Sequence, residues 1–316
     1  MKPLFWFPVP VRAAQSQRNR VLAERLFVRV KVLVRRFAEW VYGCYAWGVF
    51  ILLVLSCGGL VMLLRTPSRG RPVVRFAARM SFRLARMPVS VTGLDHLPAE
   101  PHILLVNHTS FLDAIALTAL LPPRPGYAFI ARQQFASQRI FCPLLRALGT
   151  VILKRAGSSH GTSNIDRMIA AVLRGENLVV FPEGGITSEA GLKPFHSGVF
   201  VAAANAQVPI VVAGLRGART ALRLGTWLPR HSAIHLEIGP TLIPAGKDPS
   251  ALLQLRTEAH RAMEPLSGES DATTHSCHRS VCAPTSEKHL PYRFPGTPVV
   301  AARNGKHLAL RQDICQ

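Results

Sequence analysis

Between Val41 and Leu64 no residue carries a charge, and Arg65 closes the run. About twenty residues of helix suffice to cross a bilayer's hydrocarbon core of roughly 30 Å, so this stretch is long enough to span one. Trp40, Tyr42, Tyr45 and Trp47 crowd its start, where an aromatic belt sits at a membrane surface. The run is too long for a signal peptide, lies behind a forty-residue segment and is followed by no small-x-small cleavage site. Upstream, Leu22, Leu26, Val30, Leu33 and Phe37 recur at helical spacing, with Arg18, Arg25, Arg29 and Arg36 between them. Such a helix can lie in the interface of an anionic leaflet. Arg65, Arg69, Arg71, Arg75 and Arg79 follow the span. With both flanks basic, the positive-inside rule assigns no orientation, and the span either crosses the membrane or re-enters it.

The formal net charge is +21, carried mostly by arginine, since lysine occurs only seven times. That charge calls for an anionic partner, either a membrane surface or nucleic acid. The densest basic runs flank the apolar span and lack the interleaved aromatics of a single-strand binder, so the expected partner is lipid and not nucleic acid. The cysteines Cys44, Cys57, Cys142, Cys277, Cys282 and Cys315 show no framework spacing, which suits reduced thiols in a cytosol-facing protein. His275, Cys277, His278 and Cys282 do not match a closed zinc site, and no metal is expected.

Residues 88–265 alternate between apolar β-rich runs and amphipathic helical patterns. Strands are predicted at 89–92, 102–106, 127–131, 150–153, 177–181, 209–213 and 233–238. Helices are predicted at 111–120, 133–147, 164–174, 196–205 and 249–263. This alternation implies an α/β fold: a mixed, largely parallel sheet flanked by helices, preceded by an N-terminal membrane-associated helical segment. The expected organisation is a basic amphipathic segment (1–40), a transmembrane or re-entrant helix (41–64), a basic linker helix (65–87), a catalytic domain (88–265) and a disordered tail (266–316), whose composition lacks periodicity. The N-terminal 80 residues are expected to localise the protein rather than perform chemistry.

The chemistry begins at Ile103–Asp113, where an apolar run delivers His108 and, five positions later, Asp113. Histidine takes a proton near neutral pH, and a carboxylate can fix its tautomer and raise its basicity. Residues five apart on one helix are about 140° apart. The pair therefore meets only if His108 lies on a strand-to-helix turn and Asp113 in the helix that follows, with Thr109 and Ser110 as N-caps. Three later blocks accompany it: Gly149–Arg155, ending in Lys154 and Arg155; Leu178–Gly185, entering a Pro182-Glu183-Gly184-Gly185 turn; and Val208–Gly214, opened by Pro209.

These four blocks, in this order, resemble the glycerolipid acyltransferase family over about residues 88–245. The resemblance implies direct acyl transfer, with His108 as general base, Asp113 orienting it, and no cofactor beyond an acyl-CoA or acyl carrier protein co-substrate. It implies that Lys154, Arg155, Glu183, Gly184 and Gly185 bind the acceptor, that Pro209 belongs to the fourth block, and that the acceptor is 1-acyl-sn-glycerol-3-phosphate. It also implies a site on the cytoplasmic face of a bacterial inner membrane. One departure stands out. Type members read Glu-Gly-Thr-Arg-Ser, whereas this chain reads Glu183-Gly184-Gly185-Ile186-Thr187, so Ile186 replaces the family's phosphate-binding arginine. Lys193 could supply that charge. The pattern also resembles lysophosphatidylethanolamine acyltransferases, and lyso-ornithine lipid is another acceptor within the superfamily. A different class is a serine hydrolase using Ser159 of Gly157-Ser158-Ser159-His160-Gly161, but Ser159 lies six residues past Leu153, too far for a strand–elbow–helix turn.

Overall fold

The computed structural model describes residues 11–64, 66–124, 126–132, 145, 148–153, 161–186, 189 and 191–269. A single helix, α1 (Val11–Leu64), runs unbroken through both the basic segment and the uncharged span. It is long and apolar enough to cross a membrane, and the rest of the protein covers almost none of its apolar stretch. Its large side chains, among them Leu33, Phe37, Ile51, Leu52, Leu55 and Leu63, are exposed. In water that surface would be unfavourable by roughly 25 cal/mol per Å². Helix α2 (Pro67–Leu84) starts with proline in its first turn and buries Ala77, Ala78, Ser81 and Phe82.

After α2 come β1 (Val89–Thr92), β2 (Ile103–Val106), α3 (Asp113–Leu120), β3 (Tyr127–Arg132) and β4 (Val151–Leu153). They are followed by α4 (Gly161–Leu173), β5 (Asn177–Val180), α5 (Gly198–Ala206), β6 (Ile210–Arg216), the single turn α6 (Ala218–Ala221), β7 (Ile234–Leu242) and α7 (Pro249–Ser267). The strands form one sheet in the order β1-β7-β6-β2-β5-β3-β4. Strands β2 to β6 are mutually parallel; β7 runs antiparallel to β6 and parallel to β1.

All seven expected strands are present. The last two outrun their predicted ends because β6 and β7 pair with each other from Ile210↔Leu242 to Arg216↔His235. The expected 133–147 helix falls almost wholly outside the described residues. Helix α7 continues to Ser267, past the expected domain end: Asp248 caps its start by accepting from the Ala251 amide (3.0 Å), and Gly268 ends it in the left-handed conformation.

The central strand β2 is buried on both faces, as expected of a parallel sheet covered by helices on both sides. Leu104 and Val106 join a core with Phe82, Ala116, Leu117, Val211 and Leu236. Ile103 and Leu105 point the other way, into a core with Met168, Phe200, Val212, Ala259 and Met263. Because Phe82 and Ala78 belong to the first core, α2 is a layer of the domain rather than a linker. Truncating Phe82 there would cost about 3–5 kcal/mol.

Candidate active site

Strand β2 ends at Val106, and the next residue locks its end in place. Asn107 is fully buried; its amide nitrogen donates to the Leu215 carbonyl (3.0 Å) and its oxygen accepts from the Leu215 amide (2.7 Å). One side chain thereby ties the carboxyl ends of β2 and β6 together, and His108 emerges from a fixed point. The carboxyl ends of parallel strands are where α/β folds place their ligands.

The His108 side chain is 19% exposed, and its Nδ1 lies 2.9 Å from Oδ2 of Asp113, which is fully buried. Asp113 opens α3, so the pair meets in the predicted way, across a strand-to-helix turn. The capping runs opposite to expectation. Leu112, not Thr109 or Ser110, holds the N-cap position and makes no side-chain cap. Instead Asp113 Oδ2 accepts from the amides of Thr109 (2.7 Å) and Ser110 (2.9 Å). One carboxylate oxygen thus gathers three N–H donors and fixes the turn and the imidazole together. Its other oxygen is buried without a partner among the described residues. With Nδ1–H committed to Asp113, Nε2 carries the lone pair, the tautomer a general base requires. The imidazole stacks on Phe181, ring centroids 4.0 Å apart at 15°, which sets its plane.

Glu183 reaches the same turn from β5. It is 5% exposed; Oε1 accepts from the His108 amide (2.9 Å) and Oε2 from the Lys193 amide (3.2 Å). Burial pushes its carboxyl pKa up, partly offset by those two amides and by the nearby charges. Its carboxylate is a strut between the histidine turn and the two ends of the 184–193 loop. Gly184 begins that loop at φ +72°, where a side chain would be strained. The Lys193 ammonium lies 3.5 Å from the Gly185 carbonyl, beside the turn that carries Ile186.

The other predicted site residues lie apart or outside. Pro209 precedes β6 at its amino end, where its carbonyl accepts from the Ile103 amide (3.0 Å). Ile103 and Val106 mark opposite ends of β2, so Pro209 sits about a strand length, roughly 10–13 Å, from the histidine turn. Lys154, Arg155 and Ser159 lie outside the described residues, as do His275, Cys277, His278 and Cys282. No group of three or more potential metal ligands clusters among the described residues. Sequence reasoning missed the tie made by Asn107, the distant contact of Ser110 and the stacking role of Phe181. Ser110 Oγ donates to the Leu222 carbonyl (2.8 Å), a contact more than a hundred residues away that no local pattern announces. Asn107 and Phe181 adjoin recognised motif residues, and adjacency was the only available signal.

Residues 88–216 match the family model described as Acyltransferase. The 1-acyl-sn-glycerol-3-phosphate acyltransferase of Neisseria meningitidis serogroup B is 32% identical over 162 residues, covering 49% of this chain and 60% of that protein. The lyso-ornithine lipid O-acyltransferase of Pseudomonas aeruginosa is 28% identical over 145 residues, covering 46% and 53%. This chain therefore spans between half and three-fifths of the length of these two relatives. The crystal structure of the 1-acyl-sn-glycerophosphate acyltransferase from Thermotoga maritima superposes with a TM-score of 0.61 at 19% identity, covering 72% of this chain and 95% of that one. At that identity the likeness establishes the shared fold. The family match runs from β1 to the end of β6 and contains His108, Asp113 and Glu183, so residues 88–216 form an acyltransferase domain similar to those of the glycerolipid acyltransferases.

Proposed function

We propose that this protein transfers a fatty acyl group from an acyl thioester to the hydroxyl of a lyso-glycerolipid, with 1-acyl-sn-glycerol-3-phosphate as the first-choice acceptor and phosphatidic acid as product. The observation that carries the reading is the 2.9 Å contact from His108 Nδ1 to the buried Asp113 carboxylate. His108 Nε2 takes the proton of the acceptor hydroxyl as its oxygen attacks the thioester carbonyl. The carbon–sulfur bond then breaks, and the leaving thiolate takes that proton back from the imidazolium. Asp113 stabilises the imidazolium while it lasts. The thioester is already activated, so an enzyme nucleophile is unnecessary, and the relatives named above are all acyltransferases. The donor is acyl-CoA or acyl carrier protein, and Lys154 and Arg155 are assigned to the acceptor's phosphate by resemblance alone.

A second acceptor class is favoured by one specific feature. Ile186 stands where the family's arginine would hold phosphate, which suits another lysophospholipid or lyso-ornithine lipid. Against it, the Lys193 ammonium beside Gly185 keeps a cation at that turn. We place the enzyme on the membrane through α1, at the cytoplasmic face of the inner membrane. Mass spectrometry of membranes from cells with and without this chain tests the reading: the true acceptor accumulates when the chain is absent. No change in any lyso-lipid would refute it.

A further inference from the structure

The second half of the loop from Leu222 to His231 lies against α1 through four contacts. Arg230 stands 3.9 Å from Glu39. His231 meets the Tyr42 ring edge-on at 6.2 Å. Leu228 packs so closely on Gly43 that a Cβ there would stand 2.8 Å from the Leu228 Cβ. The Trp47 indole N–H donates to the Trp227 carbonyl. From Glu39 to Trp47 the helix advances about 12 Å, and the loop follows it from the charged flank into the uncharged span. Of these four contacts, that of Trp227 lies farthest along the helix, at Trp47, about 9 Å past Val41. Trp227 is 56% exposed, and exposed Arg223 belongs to the same loop.

We propose that this loop is a second membrane-contact element, with Trp227 seated at the headgroup level of an anionic bilayer beside Trp47. The proposal rests on the reading that α1 is membrane-seated. A tryptophan with one apolar face and one wet end suits that depth, and arginine suits anionic headgroups. The loop is closed at its base by the Arg230 amide on the Ala221 carbonyl (2.7 Å). Next to that base, the Leu222 carbonyl holds Ser110 Oγ (2.8 Å), two residues from His108. Seating the loop therefore sets the height of the histidine turn above lipid through a short bonded path.

The test uses the full chain labelled with 5-fluorotryptophan in nanodiscs containing phosphatidylglycerol. Its four tryptophans give separate fluorine resonances, with that of Trp227 assigned by its loss in Trp227→Phe. A spin label on the lipid should broaden Trp227 as strongly as Trp47, and a soluble gadolinium chelate should spare both. Trp47 broadened by lipid while Trp227 responds only to the soluble chelate would overturn the loop proposal and leave the α1 reading standing. Neither responding to lipid would show that the α1 reading itself has failed, and the proposal with it. A Trp227 resonance indifferent to lipid that shifts on adding acyl carrier protein would assign the surface to a protein instead.

Discussion

The strand β2 carries a histidine just beyond each end, and the two have opposite fates. His102, before the strand, is 1% exposed. Its Nε2 pairs with the Tyr127 hydroxyl (2.9 Å) and its Nδ1 with the Glu100 carbonyl (2.9 Å), so both ring nitrogens are occupied. Burial lowers its pKa and raises that of Tyr127. His108, after the strand, commits only Nδ1 among the described residues. Residue type and sequence distance are nearly the same; what differs is which end of a parallel strand each occupies and how many of its nitrogens are used. A histidine with both nitrogens satisfied inside the protein is structure, whereas one anchored at Nδ1 by a buried carboxylate, and partly exposed, can move a proton.

The largest effect expected to sharpen this contrast is on the anchor. Asp113→Asn keeps an oxygen for the three N–H donors and places its amide where Oδ1 has no partner among the described residues. The turn and the tautomer should survive, but the charge that stabilises the imidazolium is lost. Turnover should fall by about 10²–10⁴-fold with little change in the acceptor's KM; initial-rate kinetics would show it. Normal turnover would mean the carboxylate only holds the turn. At the other end, Tyr127→Phe leaves His102 Nε2 buried and unpaired. It should cost about 1–3 kcal/mol of stability by thermal or denaturant unfolding while leaving turnover per folded molecule unchanged. A loss of turnover there would break the contrast.

The smallest effect is a pH dependence. A histidine whose folded pKa is depressed binds its proton more readily when unfolded. The stability it leaves intact above its ordinary pKa, about 6.5, is lost as pH falls through the folded value. Thermal unfolding of the wild type should therefore weaken between pH 7 and pH 5 more steeply than that of His102→Gln, which cannot titrate. Parallel curves for the two proteins would assign the acid sensitivity elsewhere.

The sheet was legible because each strand is a short apolar run with its own period, and β2 to β5 need only their own residues to be recognised. The meeting of His108 with Asp113 was legible for the same reason, since a strand-to-helix turn is a local event. What depended on distant partners was hidden. The role of Glu183 as a strut rests on the amides of His108 and Lys193, and amides leave no mark in a sequence. Capping was misassigned because Thr109 and Ser110 carry the usual side-chain acceptors, whereas here the Asp113 carboxylate reaches back to accept from their own backbone amides. Helix α2 reads as basic, but the small and aromatic residues Ala77, Ala78 and Phe82 on one face make it a core layer. The bond between Trp47 and Trp227 joins residues too far apart in sequence for any local pattern to register.

The division of labour between the two histidines is tested most directly by assaying His108→Ala and His102→Gln side by side as purified, folded full-length chains. Each would receive a lyso-glycerolipid and, in separate arms, acyl-CoA or acyl carrier protein thioester, with released thiol and acylated lipid both measured. His102→Gln should form one acylated lipid per thiol released at close to the wild-type rate. His108→Ala, equally folded by circular dichroism, should fall by about 10²–10⁴-fold in both products. Near-normal acyl transfer by His108→Ala, with a donor that the wild type uses, would contradict that division.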